Sequence, residues 1–283
     1  MFIQTVKEYY HKHGRHDLPW RMTTDPYKIV VSEIMLQQTQ VSRVIEKYYT
    51  FLKAFPTVQV LANASLQQVL LQWSGLGYNR RARFLHQMAQ TVVKEKSGVF
   101  PKHFDELLEL PGIGHYTAGA ICAFAYNKPI TIIETNIRTV FLYHFFNNSK
   151  EAQHDGLVKV ADSELLPLIE KTLDQNNPRE WYWALMDYGS YLKSQGIKIH
   201  RSSTHYKKQT TFKGSLREVR GAIIKMLTKH SATVLQVQKS TGFEIDRIEE
   251  AVQILIKEGI IGKKIKYSTI ESCRTDIVIL SIF

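Results

Sequence analysis

Apolar residues recur every three to four positions from residue 30 to about residue 191, a pattern that predicts helix nearly throughout that span. The stretches 61–71 and 81–95 are the most regular. Residues 51–55 close one amphipathic helix, and Pro56-Thr57 restarts the chain. Pro101 and Pro111 punctuate short helices, and Asn176-Asn177-Pro178 marks a loop. No alternating, strand-like run interrupts this stretch, so the main body, residues 1–194, reads as all-α.

The pattern changes after Lys193. Ten Lys and Arg residues lie between 193 and 229 against one acid, Glu218, with Ser and Thr interspersed, so 195–214 reads as a basic linker. A small domain at 215–283 follows. It has helical patterns at 217–229, 234–240 and 245–258, the last two joined by Thr241-Gly242, and Gly259 ends the third. Two β-prone segments, 260–267 and 277–282, complete the order of a winged helix, with a small helical cap as the alternative. The expected fold class is mainly α with a small winged-helix-like C-terminal domain.

Charge narrows the partners. Lys plus Arg is 37 and Asp plus Glu is 26, a net +11, which suits a surface that neutralises phosphates. No segment approaches eighteen consecutive apolar residues, and the start lacks the apolar core of a secretory signal. The expectation is an intracellular protein of the cytoplasm or nucleoid, away from membranes. The two cysteines, Cys122 and Cys273, cannot build a disulfide framework or a four-thiolate metal site.

Leu110-Pro111-Gly112-Ile113-Gly114 lies between two helical patterns. Its glycines let the backbone take positive φ and approach another molecule closely. The N–H groups that open the next helix at His115 would then face outward with the positive dipole end, a site for a phosphate. A plain helix–helix turn is the alternative.

Other motifs accompany this one: Leu18-Pro19-Trp20-Arg21, the run from Val31-Ser32-Glu33 to Gln38-Thr39-Gln40, Trp73-Ser74-Gly75-Leu76-Gly77-Tyr78, residues 81–86, and Glu134-Thr135-Asn136-Ile137-Arg138. In this order, over about residues 6–192, they closely resemble the adenine DNA glycosylase family of the helix-hairpin-helix superfamily, which also holds endonuclease III. The resemblance implies a helix-hairpin-helix glycosylase fold and hydrolysis of an N-glycosidic bond in double-stranded DNA by a monomer. Such a reaction needs one carboxyl kept neutral, to protonate the departing base, and a carboxylate near the sugar. The first corresponds to Glu33, set in an apolar stretch where desolvation would raise its pKa. The second corresponds to Glu134, where the family has aspartate, with Tyr116 and Asn136 as its positioners. The extra methylene leaves three readings open: a working glutamate, a changed substrate, or a weakened activity.

Tyr116 stands where the lyase branch carries a Schiff-base lysine, so the resemblance implies a monofunctional enzyme. It assigns the base pocket to Leu18, Trp20, Arg21 and Trp183, although Trp183 replaces a Gln or Glu and His16 an arginine. It assigns DNA contacts to Gln38, Thr39, Leu76, Tyr78, Arg81, Arg83, Gly112, Gly114 and His115. The carbonyls of Leu110 and Gly112 would hold a structural monovalent cation without side-chain ligands. No cysteine lies between 191 and 206, so no iron–sulfur cluster is expected, and the Nudix-like C-terminal domain of relatives is not evident. Adenine opposite guanine or 8-oxoguanine is the expected target. The alternatives are a thymine or uracil mismatch glycosylase and a DNA-structure binder of weak catalysis.

Overall fold

The computed structural model describes residues 1–146, 159–197, 199–204, 211–270 and 273–283. In chain order the helices are α1 (Phe2–His13), α2 (Pro26–Leu36), α3 (Val41–Ala54), α4 (Val58–Asn63), α5 (Leu66–Trp73), α6 (Arg80–Glu95) and α7 (Phe104–Leu108). They continue with α8 (His115–Tyr126), α9 (Thr135–Phe141), α10 (Asp162–Thr172), α11 (Pro178–Ser194), α12 (Leu216–Leu227), α13 (Val234–Thr241) and α14 (Ile245–Lys257). Two strands, β1 (Ile261–Ile270) and β2 (Cys273–Ile282), end the chain. None of the described helices is long and apolar enough to cross a membrane.

The elements group into two compact units, each built from two separate segments. One takes Met1–Glu33 and Phe100–Lys208, the other Ile34–Val99 and Gln209–Phe283. The first is organised on α8, which is buried on every side from Thr117 to Ala125, as befits a helix of small apolar residues at a core. A Cβ on Gly119 would collide with the Ile132 side chain, so the bare backbone lets the 127–134 segment lie against α8. Asn127 ends α8 in the left-handed conformation, and Arg179 donates to the Phe124 and Ala125 carbonyls left open there. Tyr182 clamps the same segment, accepting from Ile132 N–H (3.1 Å) and donating to the Ile130 carbonyl (2.9 Å). Helix α1, outside the span expected to be helical, packs on α11; its Phe2 meets Phe141 and Trp181 edge to face.

In the second unit α6 lies against α4 and α5 with Leu85, Met88, Ala89 and Val92 buried. The expected single pattern over 61–71 is two helices. Ser65 caps α5 by accepting from Gln68 N–H while the Gln68 side chain returns to Ser65 N–H, a capping box that breaks the run. Helices α12 to α14 bury Val219, Ile223, Val237, Ile248, Val252 and Leu255. The two strands pair antiparallel in register Ile261↔Ile282, and Ala232 bridges Leu280 beside them. In the stretch expected as a linker, Ile199–Ser202 forms a 3-10 turn, and Ser202 and Ser203 are buried, with Val160 bridging Ser203. The remainder of that stretch at 198 and 205–210 lies outside the described residues.

Candidate active site

Helix α2 has Ile29, Val30, Val31, Ile34 and Met35 buried, and Glu33 lies among them at 7% exposure. Burial pushes its carboxyl up to about 7, and the charge of Glu134 adds to the rise. A hydrogen bond from Tyr116 and the charge of Arg21 pull the other way. Tyr116, on the first turn of α8, donates its hydroxyl to Glu33 Oε2 at 3.0 Å. Burial, and then the charges of Glu33 and Glu134, hold the phenol well above its usual range, so it remains a donor. This corrects one expectation: Tyr116 positions Glu33, not Glu134.

Glu134 sits at the N-cap of α9. Its Oε1 accepts the N–H groups of Asn136 (2.7 Å) and Ile137 (2.9 Å), and its Oε2 accepts Asn136 Nδ2 (3.2 Å). The longer side chain is folded back on the helix that follows it, and Asn136 holds it as expected. The close approach of α11 fixes this cap. Gly189 faces the backbone of Asn136, where a Cβ would lie 2.8 Å from its carbonyl carbon and 2.9 Å from its Cα. Lys193, one turn further along α11, is pulled down by burial, against which the charge of Glu134 acts. Sequence reasoning missed Gly189 and Lys193. A glycine inside a strongly helical pattern was the available signal for the first.

Leu18 and Trp20 are buried, and Arg21 ends the 3-10 turn Pro19–Arg21. The Arg21 guanidinium forms a bidentate pair with Asp187 (2.7 and 2.9 Å) and lies 5.4 Å from the Trp183 ring centroid, which itself stacks on Phe124. Asp187 accepts from Arg15 as well, through its backbone N–H and guanidinium. Burial raises the Asp187 carboxyl, yet the bonds from Arg21 and Arg15 outweigh it and the net shift is downward. Arg15 and Asp187 were not foreseen. His16 turns away from this cluster, its Nε2 3.0 Å from the Tyr10 carbonyl.

The hairpin runs from α7 to α8. Gly112 takes φ +76°, whereas Gly114, expected to share that role, is extended at φ −98° and serves as the N-cap of α8. A Cβ at Gly114 would meet no protein atom within 4 Å, so space inside the protein does not demand a glycine there. Gly112, Gly114 and His115 are all exposed. The Leu110 carbonyl accepts Ile113 N–H (3.1 Å). A carbonyl has a second lone pair, so this turn remains compatible with a cation.

The other expected DNA contacts fall in the second unit. Gln38 is exposed at φ +55°, and Thr39 follows it half-buried. Gly75, Gly77 and Tyr78 all have positive φ, which winds 75–78 into a tight turn with Tyr78 on its outside. Leu76 is buried at 4% exposure, so in this conformation it packs inward and does not project. Arg81 is also corrected. Its guanidinium donates to the carbonyls of Ile34, Met35, Gln37, Leu76 and Gly77 and to Thr39 Oγ1. It ties the Gln38 and Tyr78 turns together from inside and is no phosphate contact. Arg83 packs its guanidinium near Gly259 and 5.8 Å from the Phe84 ring.

Comparison places this architecture among base-excision enzymes. Residues 31–160 match the family described as HhH-GPD superfamily base excision DNA repair protein. A solved thermostable thymine-DNA glycosylase superposes with a TM-score of 0.57 at 25% identity, covering 67% of this chain and 84% of its own. The fold is the helix-hairpin-helix glycosylase fold. An adenine DNA glycosylase of Mycolicibacterium smegmatis is 30% identical over 274 residues, 89% of this chain and 90% of its own. One from Buchnera aphidicola subsp. Baizongia pistaciae is 38% identical over 192 residues, 68% of this chain and 53% of its own. The chain thus spans about half the length of the Buchnera relative and belongs to the adenine DNA glycosylase family.

Proposed function

We propose that this protein is a monofunctional DNA N-glycosylase that removes adenine mispaired with guanine or 8-oxoguanine from double-stranded DNA. The observation that carries the proposal is Glu33: a buried carboxyl raised to about 7, held by the Tyr116 hydroxyl, with Glu134 as its charged neighbour. Near neutral pH Glu33 still carries its proton for a substantial share of the time and transfers it to a ring nitrogen of the extruded base. The C1′–N bond breaks with its electron pair leaving on the base, and the Glu134 carboxylate stabilises the cationic sugar. Water then adds at C1′, and its proton returns to the Glu33 carboxylate. Tyr116 keeps its phenol proton and offers no amine for a Schiff base.

The exposed amides at the start of α8, beside Gly112 and Gly114, suit a DNA phosphate, and the Leu110 and Gly112 carbonyls suit a monovalent cation. With two cysteines in the whole chain, the enzyme works as a monomer without an iron–sulfur cluster. Helices α12 to α14 with their strand pair serve as a winged-helix module on DNA inside the cell. Trp183 beside Arg21 favours a second reading, a thymine or uracil mismatch substrate, because an indole offers less polar discrimination than a carboxamide.

The test is single-turnover excision from duplexes carrying A, T or U opposite G or 8-oxoguanine, by wild type and Glu33→Gln. Wild type should release adenine, and Glu33→Gln should release nothing while binding the duplex as before. Release of T or U alone would install the second reading. Wild-type turnover by the Gln variant, or no release by wild type, would refute the mechanism.

A further inference from the structure

The second unit holds a groove of about 1190 Å³ that the active-site chemistry does not use. One wall is formed by the Gln38 and Tyr78 turns, the other by Phe212 and helix α12 of the C-terminal module. Seven Lys and Arg residues line it against one carboxylate, Glu258, which is itself paired with Arg220. Exposed aromatic rings accompany the charge: Tyr78 at 36% and Phe212 at 59%. Basic side chains interleaved with aromatic faces make a platform for unstacked nucleotides, where phosphates and bases are both held.

The groove's arginines differ in what already holds them. Arg81 is bound to carbonyls, Arg220 to Glu258, and Arg80 lies 5.0 Å from the Phe84 ring. Arg217 instead reaches from α12 to the tip of the Tyr78 turn. It donates to the Tyr78 hydroxyl at 2.8 Å, with its Cζ 5.7 Å from the ring centroid. A guanidinium fixed at this tip presents a planar fork where an extruded nucleotide leaves its partner base unpaired. The Gln38 turn that lines the same groove follows Glu33 by five residues of chain.

We infer that this groove takes the strand opposite the excised base, and that Arg217 selects a guanine-type base there. The inference rests on the glycosylase reading for the identity of that strand. The O6 carbonyl is common to guanine and 8-oxoguanine, while only guanine offers N7 as a second acceptor, so Arg217 can make a one-point contact with both and a two-point contact with guanine. Opposite-base choice is thereby assigned to the C-terminal module, which in this chain resembles no base-reading domain of its relatives.

The experiment measures binding of the full chain to duplexes with a tetrahydrofuran abasic analogue opposite G, 8-oxoguanine, A, C or T. Wild type, Arg217→Ala and Arg217→Lys are compared, with circular dichroism melting as the check on folding. Wild type should prefer G and 8-oxoguanine over C and T, and Arg217→Ala should lose roughly 5- to 100-fold of that preference. Arg217→Lys, which keeps the charge but not the fork, should lose the advantage of guanine over 8-oxoguanine. A wild type without opposite-base preference, or an Ala variant that retains it, would overturn the inference. Because binding needs no turnover, a wild type that discriminates yet excises nothing would refute the proposed function and leave the groove assignment standing. One that excises without discriminating would do the reverse.

Discussion

Gly189→Ala places one methyl group at the point where α11 carries the α9 cap. Its Cβ would lie 2.8 Å from the Asn136 carbonyl carbon and 2.9 Å from Asn136 Cα, whereas carbon atoms rest at about 3.5 Å or more. The atoms it meets are backbone, so no side chain can rotate away, and the first turn of α9 must retreat by at least about 0.7 Å. That turn supplies the Asn136 and Ile137 amides that hold Glu134, so the carboxylate moves with it. Misplacement on the ångström scale costs on the order of a hundredfold in rate, so a drop of roughly 10- to 100-fold in single-turnover excision is expected. Overpacking costs about 1–3 kcal/mol, while alanine gains about 1 kcal/mol over glycine inside a helix. The net loss of stability should therefore be small, seen as a fall of a few degrees in Tm. The rate should suffer much more than the fold. Excision and melting both unchanged would refute the argument that Gly189 sets the position of Glu134.

Four further outcomes follow. Excision should be fastest at or below about pH 7 and fall above it as Glu33 loses its proton; a rate flat to pH 9 would remove Glu33 as the acid. Between the ordinary carboxylate value of 4.5 and about 7 the native state binds more protons than the unfolded chain, so Glu33 makes stability decline as pH rises through that window. Glu33→Gln should flatten that decline in pH-dependent melting. Glu134→Gln should abolish excision, whereas Glu134→Asp keeps both an acid and a favourable N-cap and should remain active; equal loss in both would mean the extra methylene is required. Arg81→Lys should destabilise the fold by on the order of 3 kcal/mol, since a compact ammonium cannot serve the same carbonyls, and should leave the salt slope of DNA binding unchanged; a shallower slope would restore Arg81 as a phosphate contact. Purified protein should lack visible absorption and stoichiometric iron, because four thiolates cannot be assembled from two cysteines.

What the sequence by itself determined is local. Helical periodicity, the Gly242 left-handed cap, the Gly112 turn and the apolar setting of Glu33 all depend on residues within a few positions of one another, where spacing dictates geometry. Helix α1 and the Ser65–Gln68 capping box were equally local, with Phe2, Val6 and Tyr10 four apart, and were legible though passed over. Tertiary structure decided which distant groups meet. Arg81 looked like a basic residue on a solvated helix face, but a guanidinium goes wherever carbonyls converge. Those of Ile34, Met35 and Gln37 come from 44 to 47 residues away. Tyr116 sits 83 residues from Glu33 and could have served either acid; packing gave it to the buried one. Asp187 gathers Arg15 and Arg21 from more than 160 residues away, and Gly189 matters only because the backbone of α9 lies against it. Hydrogen bonds and steric contacts act over a few ångströms of space, and separation along the chain carries no information about that distance once the chain has folded.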